Sequence, residues 1–179
     1  MGVAVRAAAP LFQLQAFPGD RQVHLTWQPP APAGSFVIYD WPAQDSSKVA
    51  KVDTASGSDY LVKGLTNGTM YCFVIVRGQL PYVVSNTVSA TPATLPGAPT
   101  GLTATPGNSQ VALSWGAPAS GGAAISGYRI FEGTRPGGED RTPVNGSLVT
   151  TTSYTVTGLT NGTTYYFRVI AVTAAGQGP

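Results

Sequence analysis

The sequence predicts an all-β chain built as two tandem β-sandwiches, and three observations support this prediction. The hexapeptide GLTNGT occurs at Gly64–Thr69 and again at Gly158–Thr163, an offset of 94 residues in a chain of 179. A repeat of that length indicates two small domains. The composition, with 22 glycines and 15 prolines, favours short strands and turns over helices. Apolar and polar residues alternate along several short segments, which is typical of half-buried strands.

Residues 11–93 contain the strand pattern of the first sandwich. In the segment QVHLTW, Val23, Leu25 and Trp27 share one face, which is expected to point into the core. The prolines that follow cannot continue a hydrogen-bonded ladder, so this strand should end near Trp27. The most apolar segment, at 69–77, is predicted to be the strongest strand, with Tyr71 and Phe73 facing inward.

Residues 100–179 repeat this order, because QVALSW at 110–115 corresponds to QVHLTW at 22–27. The intervening residues, 94–99, contain two prolines and are predicted to form a short, fairly stiff linker. Residues 1–10 are mostly small and apolar, which suggests a leader or a short strand.

With these residues in place, the chain resembles the fibronectin type III family. Both halves have an inward Trp late in the second strand, the motif Gly-Leu-x-x-x-Thr-x-Tyr, and an apolar strand after it. The C-terminal segment GLTNGTTYYFRVIAVTAAGQGP resembles type III modules of secreted actinobacterial proteins, which often lie beside polysaccharide-degrading domains. The resemblance implies an immunoglobulin-like sandwich for each half.

The resemblance also implies roles for six structural residues. In each half, a Trp would form the centre of the core and a Leu would close the open end of the sandwich. A Tyr would form a corner in which its hydroxyl binds the backbone at the bend. These residues are Trp27, Leu65 and Tyr71 in the first half and Trp115, Leu159 and Tyr165 in the second.

Catalysis, cofactor binding and metal binding are not expected. His24 is the only histidine and Cys72 the only cysteine, so clusters of these ligands are impossible. The eight acidic residues fall in turns and at strand ends, whereas glycoside hydrolysis needs two carboxylates facing each other across a cleft. A formal charge of +2 predicts no nucleic-acid partner, and no apolar run is long enough for membrane insertion.

Three aromatic residues of the first half form a candidate binding patch. Tyr39 should face outward if Ile38 faces inward, Trp41 lies just beyond it before Pro42, and Tyr82 lies in the loop after the strongest strand. Aromatic rings on a flat sheet can stack on sugar rings or anchor a protein. Packing against a neighbouring domain or a local loop is the alternative explanation.

The two halves differ in length after the corner tyrosine. The first has 22 residues from Tyr71 to Pro92, and the second has 15 from Tyr165 to Pro179. The second sandwich is therefore predicted to lack its last strand. The sequence could be part of a longer chain, the edge could be frayed, or a segment of another subunit could fill the gap. Residues 2–8 have the length and alternation of such a donor, and head-to-tail donation would build a filament.

The function expected from these observations is a non-catalytic spacer or adhesion module of a larger bacterial surface or secreted protein. It would be extracellular, although no signal peptide is recognised at its start. Its partners would be other domains of the parent protein, a polysaccharide or a protein. The alternatives are a self-assembling subunit of a filament or virion, and a weak carbohydrate-binding module.

Overall fold

The computed structural model describes residues 12–28, 34–77, 83–139 and 142–179. The chain divides into two compact units, Met1–Ala93 and Thr94–Pro179. In the described ranges the regular elements are antiparallel strands, apart from one turn of 3-10 helix at Ser46–Lys48. This confirms the predicted all-β class.

Unit 1 contains a three-stranded and a four-stranded sheet. The first has the order β1-β2-β5 and consists of Leu14–Gly19, Gln22–Trp27 and Asp59–Lys63. The second has the order β4-β3-β6-β7 and consists of Ala50–Ala55, Phe36–Pro42, Tyr71–Arg77 and Val88–Ala90.

Unit 2 repeats the arrangement with two three-stranded sheets. One has the order β11-β9-β8 and consists of Ser153–Thr157, Gln110–Gly116 and Thr100–Gly107. The other has the order β10-β12-β13 and consists of Ile125–Gly133, Tyr166–Thr173 and Gly176–Gln177.

Each unit has its own apolar core around its tryptophan. Trp27 packs edge-to-face against Phe36 of the opposite sheet, with ring centroids 5.6 Å apart. Trp115 makes the same kind of contact with Tyr128 at 5.3 Å. Such aromatic pairs add about 0.5–1.5 kcal/mol to the free energy of burial. The two sheets of each unit are therefore joined at the same point.

The repeated GLTNGT segment forms a tyrosine corner in both units. The backbone N–H of Thr66 donates to the hydroxyl of Tyr71 at 3.2 Å, and that of Thr160 donates to the hydroxyl of Tyr165 at 3.1 Å. Leu65 is buried just before the first corner, and Leu159 just before the second. The GLTNGT segment is thus hydrogen-bonded to the tyrosine that precedes or begins the next strand, and its leucine closes the core.

The asparagine of each repeat has a further role that sequence reasoning missed. Asn67 accepts a hydrogen bond from the backbone N–H of Arg21 and donates to Asp20, both at 2.8 Å. Arg21 has a φ of 53°, a conformation that costs free energy for a residue other than glycine. The amide therefore stabilises the tight turn between β1 and β2. Asn161 holds Ser109, whose φ is 52°, in the same way.

The segment predicted to be a linker is hydrogen-bonded into unit 2. The N–H of Thr94 donates to the carbonyl of Gly121, and that of Gly97 donates to the carbonyl of Ala119, both at 2.9 Å. Pro96 is fully buried. The first residues of unit 2 thus lie against the loop between β9 and β10.

The units differ at one edge of their second sheet. In unit 1, β7 pairs with β6 from Tyr71 to Phe73. In unit 2, the two-residue strand β13 pairs with β12 only at Val172 and Thr173. The N–H of Gly178 also donates to the carbonyl of Ala171 at 2.9 Å. The last residues described in unit 2 thus lie along the edge of β12 that corresponds to the β7 edge of unit 1.

We predict that Gly121→Ala destabilises unit 2 by about 2–4 kcal/mol. Gly121 has a φ of +73°, and a Cβ there would lie 2.5 Å from the carbonyl oxygen of Thr94 and 2.7 Å from that of Leu95. Denaturant unfolding would measure the loss. Gly146→Ala is the matched control, because no heavy atom lies within 4 Å of the added carbon. Equal midpoints for the two variants would contradict the packing of this segment.

Candidate binding surface on unit 1

The outward side of strands β3 and β6 carries a continuous apolar surface. The buried residues Phe36 and Ile38 face the core, so the alternate residues of β3 face the other way. Three cross-strand pairs, with β3 residues opposite β6 residues, then define what we term the valine–aromatic face: Val37 with Val76, Tyr39 with Val74, and Trp41 with Cys72. All six side chains are half-buried.

The structure brings together two of the three aromatic residues predicted to form a patch. Tyr39 and Trp41 lie on this face two residues apart on β3. Tyr82 lies outside the described residues. Val84, two residues later in the sequence, is 46% exposed, forms an isolated bridge with Val76 and extends the apolar surface towards the end of β6.

Sequence reasoning did not include the valines of β6 in the patch. The signal was present in YCFVIVR, which is apolar at both alternating sets of positions. A strand in a half-solvated antiparallel sheet normally alternates apolar and polar residues. An apolar residue at nearly every position therefore indicates that the second face is also covered or is available for binding.

Few charged residues lie near the valine–aromatic face. Lys51 lies opposite Tyr39 on β4. Asp40, on the inward side of β3, is partly removed from water, and this desolvation raises the pKa of its carboxyl. A raised pKa means that the folded state binds the proton more tightly than the unfolded chain. The contribution of Asp40 therefore favours folding at low pH and is lost as the pH rises through its folded pKa.

Other carboxylates of unit 1 maintain local structure. Tyr60 donates its hydroxyl hydrogen to Asp53 at 2.7 Å, and this bond, with a second from the N–H of Thr54, lowers the pKa of Asp53. Asp45 accepts hydrogen bonds from the hydroxyl and N–H of Ser47, which lower its pKa and cap the 3-10 turn. Asp45 thus stabilises a turn, and Asp53 connects β4 with β5 of the other sheet.

The single histidine pairs with one acid on the neighbouring strand of the same sheet. The Nε2 atom of His24 lies 3.3 Å from a carboxylate oxygen of Asp59, and both side chains are exposed. Among the described residues, no group of three His, Cys, Asp or Glu side chains is placed to hold a metal ion. The surface of unit 1 can therefore offer apolar packing and aromatic stacking, with Tyr39 and Trp41 as its aromatic groups.

Unit 2 does not reproduce the valine–aromatic face. At the corresponding positions, Arg129 lies opposite Ile170, Phe131 opposite Arg168, and Gly133 opposite Tyr166. The Arg168 guanidinium lies 4.8 Å from the centre of the Phe131 ring, a cation–π contact, and Phe131 is buried. The apolar face is thus a property of unit 1 rather than of the shared fold.

Comparison with known proteins gives one family and several relatives. Residues 97–179 match the family model of the fibronectin type III domain. The chain is 41% identical over 87 residues to Exoglucanase A of Cellulomonas fimi, which covers 47% of this chain and 9% of that protein. It is 33% identical over 136 residues to Chitinase A1 of Niallia circulans, which covers 69% and 18% respectively.

A longer match, 28% identical over 162 residues, is to a Kelch domain-containing protein of Saccharolobus solfataricus, and it covers 89% of this chain and 21% of that protein. The chain thus spans about a fifth or less of the length of these curated relatives. In the described parts of the chain, no helix is long and apolar enough to cross a membrane.

Proposed function

We propose that this chain, whose residues 97–179 belong to the fibronectin type III family and whose first unit repeats the same sandwich, is a spacer and adhesion module without catalytic activity. It would act in a larger secreted or surface protein of a bacterium. The observation that carries the proposal is the small share of each relative that the chain matches. Exoglucanase A and Chitinase A1 are proteins of which such modules are a minor part.

The packing supports a mechanical role. Each unit has a separate apolar core and a separate tyrosine corner. In each, the hydrogen bond to the corner tyrosine ties the loop before the strong strand to that strand, so it resists separation of the strands under load. A module of this kind sets a distance between neighbouring domains by staying folded.

We predict that a chain stretched by single-molecule force spectroscopy unfolds in two separate events. Each unit should lengthen by roughly 300 Å, since an extended chain spans at most about 3.6 Å per residue. The Gly121→Ala variant should weaken one event and leave the other unchanged. A single event of about twice that length would contradict the proposal that the two units carry load independently. Hydrolysis of cellulose or chitin by the chain would contradict the proposal that it has no catalytic activity.

A second candidate function, weak binding to a polysaccharide, is favoured by the valine–aromatic face. Tyr39 and Trp41 lie on one side of a strand, and no charged residue lies between them on that side. The apolar faces of sugar rings pack on aromatic rings. Relatives named as an exoglucanase and a chitinase make insoluble β-glucan and chitin the first ligands to test.

We predict that Tyr39→Ala with Trp41→Ala lowers retention on insoluble cellulose or chitin at least about tenfold, which corresponds to about 1.4 kcal/mol. Co-sedimentation would measure it. Phe17→Ala is the matched control, because Phe17 is an aromatic residue 51% exposed on the other sheet of unit 1. Retention that survives the double substitution would rule out this surface.

A third candidate is self-assembly by donation of residues 2–8 to the second sandwich of another subunit, and these residues lie outside the described part of the chain. If it is correct, sedimentation should show species larger than the 18.4 kDa chain that grow with concentration and disappear on deletion of residues 1–9. A monodisperse chain at all concentrations, unaffected by the deletion, would contradict it.

A further inference from the structure

Unit 1 has a polar cleft on its three-stranded sheet, which we term the glutamine cleft. Its volume is about 450 Å³, and its lining residues are Gln13, Gln15, Thr26, Trp27, Gln28 and Ser58. None of these six residues carries a charge. Sites for small molecules typically measure about 300–1,000 Å³. The cleft is therefore large enough for a small ligand or a short piece of a polymer.

Strands β1 and β2 place an amide and a hydroxyl side by side at the centre of the cleft. Gln15 lies opposite Thr26 in the register of the two strands. Their neighbours Leu14 and Trp27 are buried in the core, so alternation points Gln15 and Thr26 to the outside of the sheet. Opposite residues of antiparallel strands have Cβ atoms about 4.5–5.5 Å apart. One ligand can therefore contact both side chains.

The other polar residues of the cleft surround this central pair. Gln13 lies just before β1 and Gln28 just after β2, so each continues its strand by one residue. Ser58 lies in the bend before β5, where its carbonyl accepts a hydrogen bond from the N–H of Trp27 at 2.8 Å. The side chains of Gln13, Gln28 and Ser58 are exposed. The cleft thus gathers three amides and two hydroxyls from three neighbouring segments.

These polar groups are available to a ligand. In the part of the chain that the structure describes, the three glutamine side chains and the hydroxyls of Thr26 and Ser58 form no hydrogen bonds. Each glutamine amide offers two donor hydrogens and an acceptor oxygen, and each hydroxyl can donate and accept. An amide of this kind can bind two adjacent hydroxyl groups of one ligand at the same time.

The free amides are a property of unit 1 rather than of the shared fold. In unit 2, the central pair is replaced by Thr103 and Ser114. Their hydroxyl oxygens lie 2.7 Å apart and form a hydrogen bond with each other. The two outer glutamine positions hold glycines, Gly101 and Gly116. The same pair of strands therefore folds without any of the three amides, so folding does not require them.

The electrostatics of the cleft favour a neutral ligand. Asp59 lies opposite Thr26 on β5, but its carboxylate oxygen is 3.3 Å from Nε2 of His24, and Asp59 does not line the cleft. A charged ligand would lose hydration without meeting an opposite charge, which is costly. A neutral ligand with several hydroxyl groups would regain its lost hydrogen bonds from the amides.

We propose that the glutamine cleft binds a short, neutral oligosaccharide, with the amides of Gln13, Gln15 and Gln28 hydrogen-bonded to its hydroxyl groups. This site is separate from the valine–aromatic face, which lies on the other sheet of unit 1. The cleft receives a soluble oligosaccharide or a chain end, whereas the face would pack on the surface of an insoluble polymer. The inference does not depend on the proposed function.

The test uses the full chain, with cellotetraose and acetylated chitotetraose as probes. We expect at least one probe to cause saturable changes in the side-chain amide NMR signals of Gln13, Gln15 and Gln28. The signals of Gln44, an exposed glutamine away from the cleft, should not change. Because no charge lines the cleft, the Kd should change less than about twofold between about 50 and 500 mM salt. If neither probe causes a saturable change up to about 10 mM, the proposal is wrong.

Two glutamine variants separate the cleft from the rest of the surface. Gln15→Ala with Gln28→Ala removes two of the three amides and should weaken binding at least about tenfold. Gln44→Ala is the matched control and should bind as the parent chain does. All three side chains are exposed, so these variants should unfold at nearly the same midpoint as the parent chain. Equal affinities of the two variants would overturn the proposal.

Two further measurements fix the place and the class of the ligand. The chain with Tyr39→Ala and Trp41→Ala should bind the oligosaccharide unchanged, because both residues lie outside the cleft. Loss of binding in that chain would place the ligand on the valine–aromatic face and contradict the proposal. A neutral peptide of glycine and serine should bind at least tenfold more weakly than the sugar. Equal binding would show that the cleft recognises peptide groups instead.

Discussion

The hydrogen bonds of the GLTNGT segment are the interactions on which both units depend. One segment binds its own corner tyrosine through a backbone N–H and holds the turn of the first hairpin through its asparagine. Its leucine meanwhile closes the core. Because the hairpin and the strong strand belong to different sheets, six residues fix how the two sheets meet. This is a physical reason for the identity of these residues in two copies that differ elsewhere.

Most of the fold was predictable from the sequence. The alternation of apolar and polar residues indicates which side chains are buried, and the repeated segment indicates two similar domains. The tryptophan and leucine of each unit are buried, and each corner tyrosine accepts a hydrogen bond from a backbone N–H of the preceding loop. The second role of Asn67 and Asn161 was not predictable from the sequence, since it depends on the positive φ of Arg21 and Ser109. The hydrogen bonds of residues 94–97 were also missed, because two prolines in a short segment indicate stiffness but not a partner.

The candidate surface was predictable in part. Tyr39 and Trp41 follow from alternation along one strand, but the valines beside them depend on the register between β3 and β6. The valine–aromatic face belongs to unit 1 alone, because the corresponding positions on β10 of unit 2 hold Arg129, Phe131 and Gly133.

The hydrogen bonds from Thr94 and Gly97 to the loop at 119–121 also bear on how such modules are exchanged between genes. A recombination breakpoint between residues 93 and 94 transfers unit 2 together with Thr94 and Gly97, which bind that loop. A breakpoint at residue 100, where the first strand begins, separates the loop from the six residues that cover it. The heritable module is therefore longer than its set of strands, and gene fusions that keep only the strands would inherit an uncovered loop.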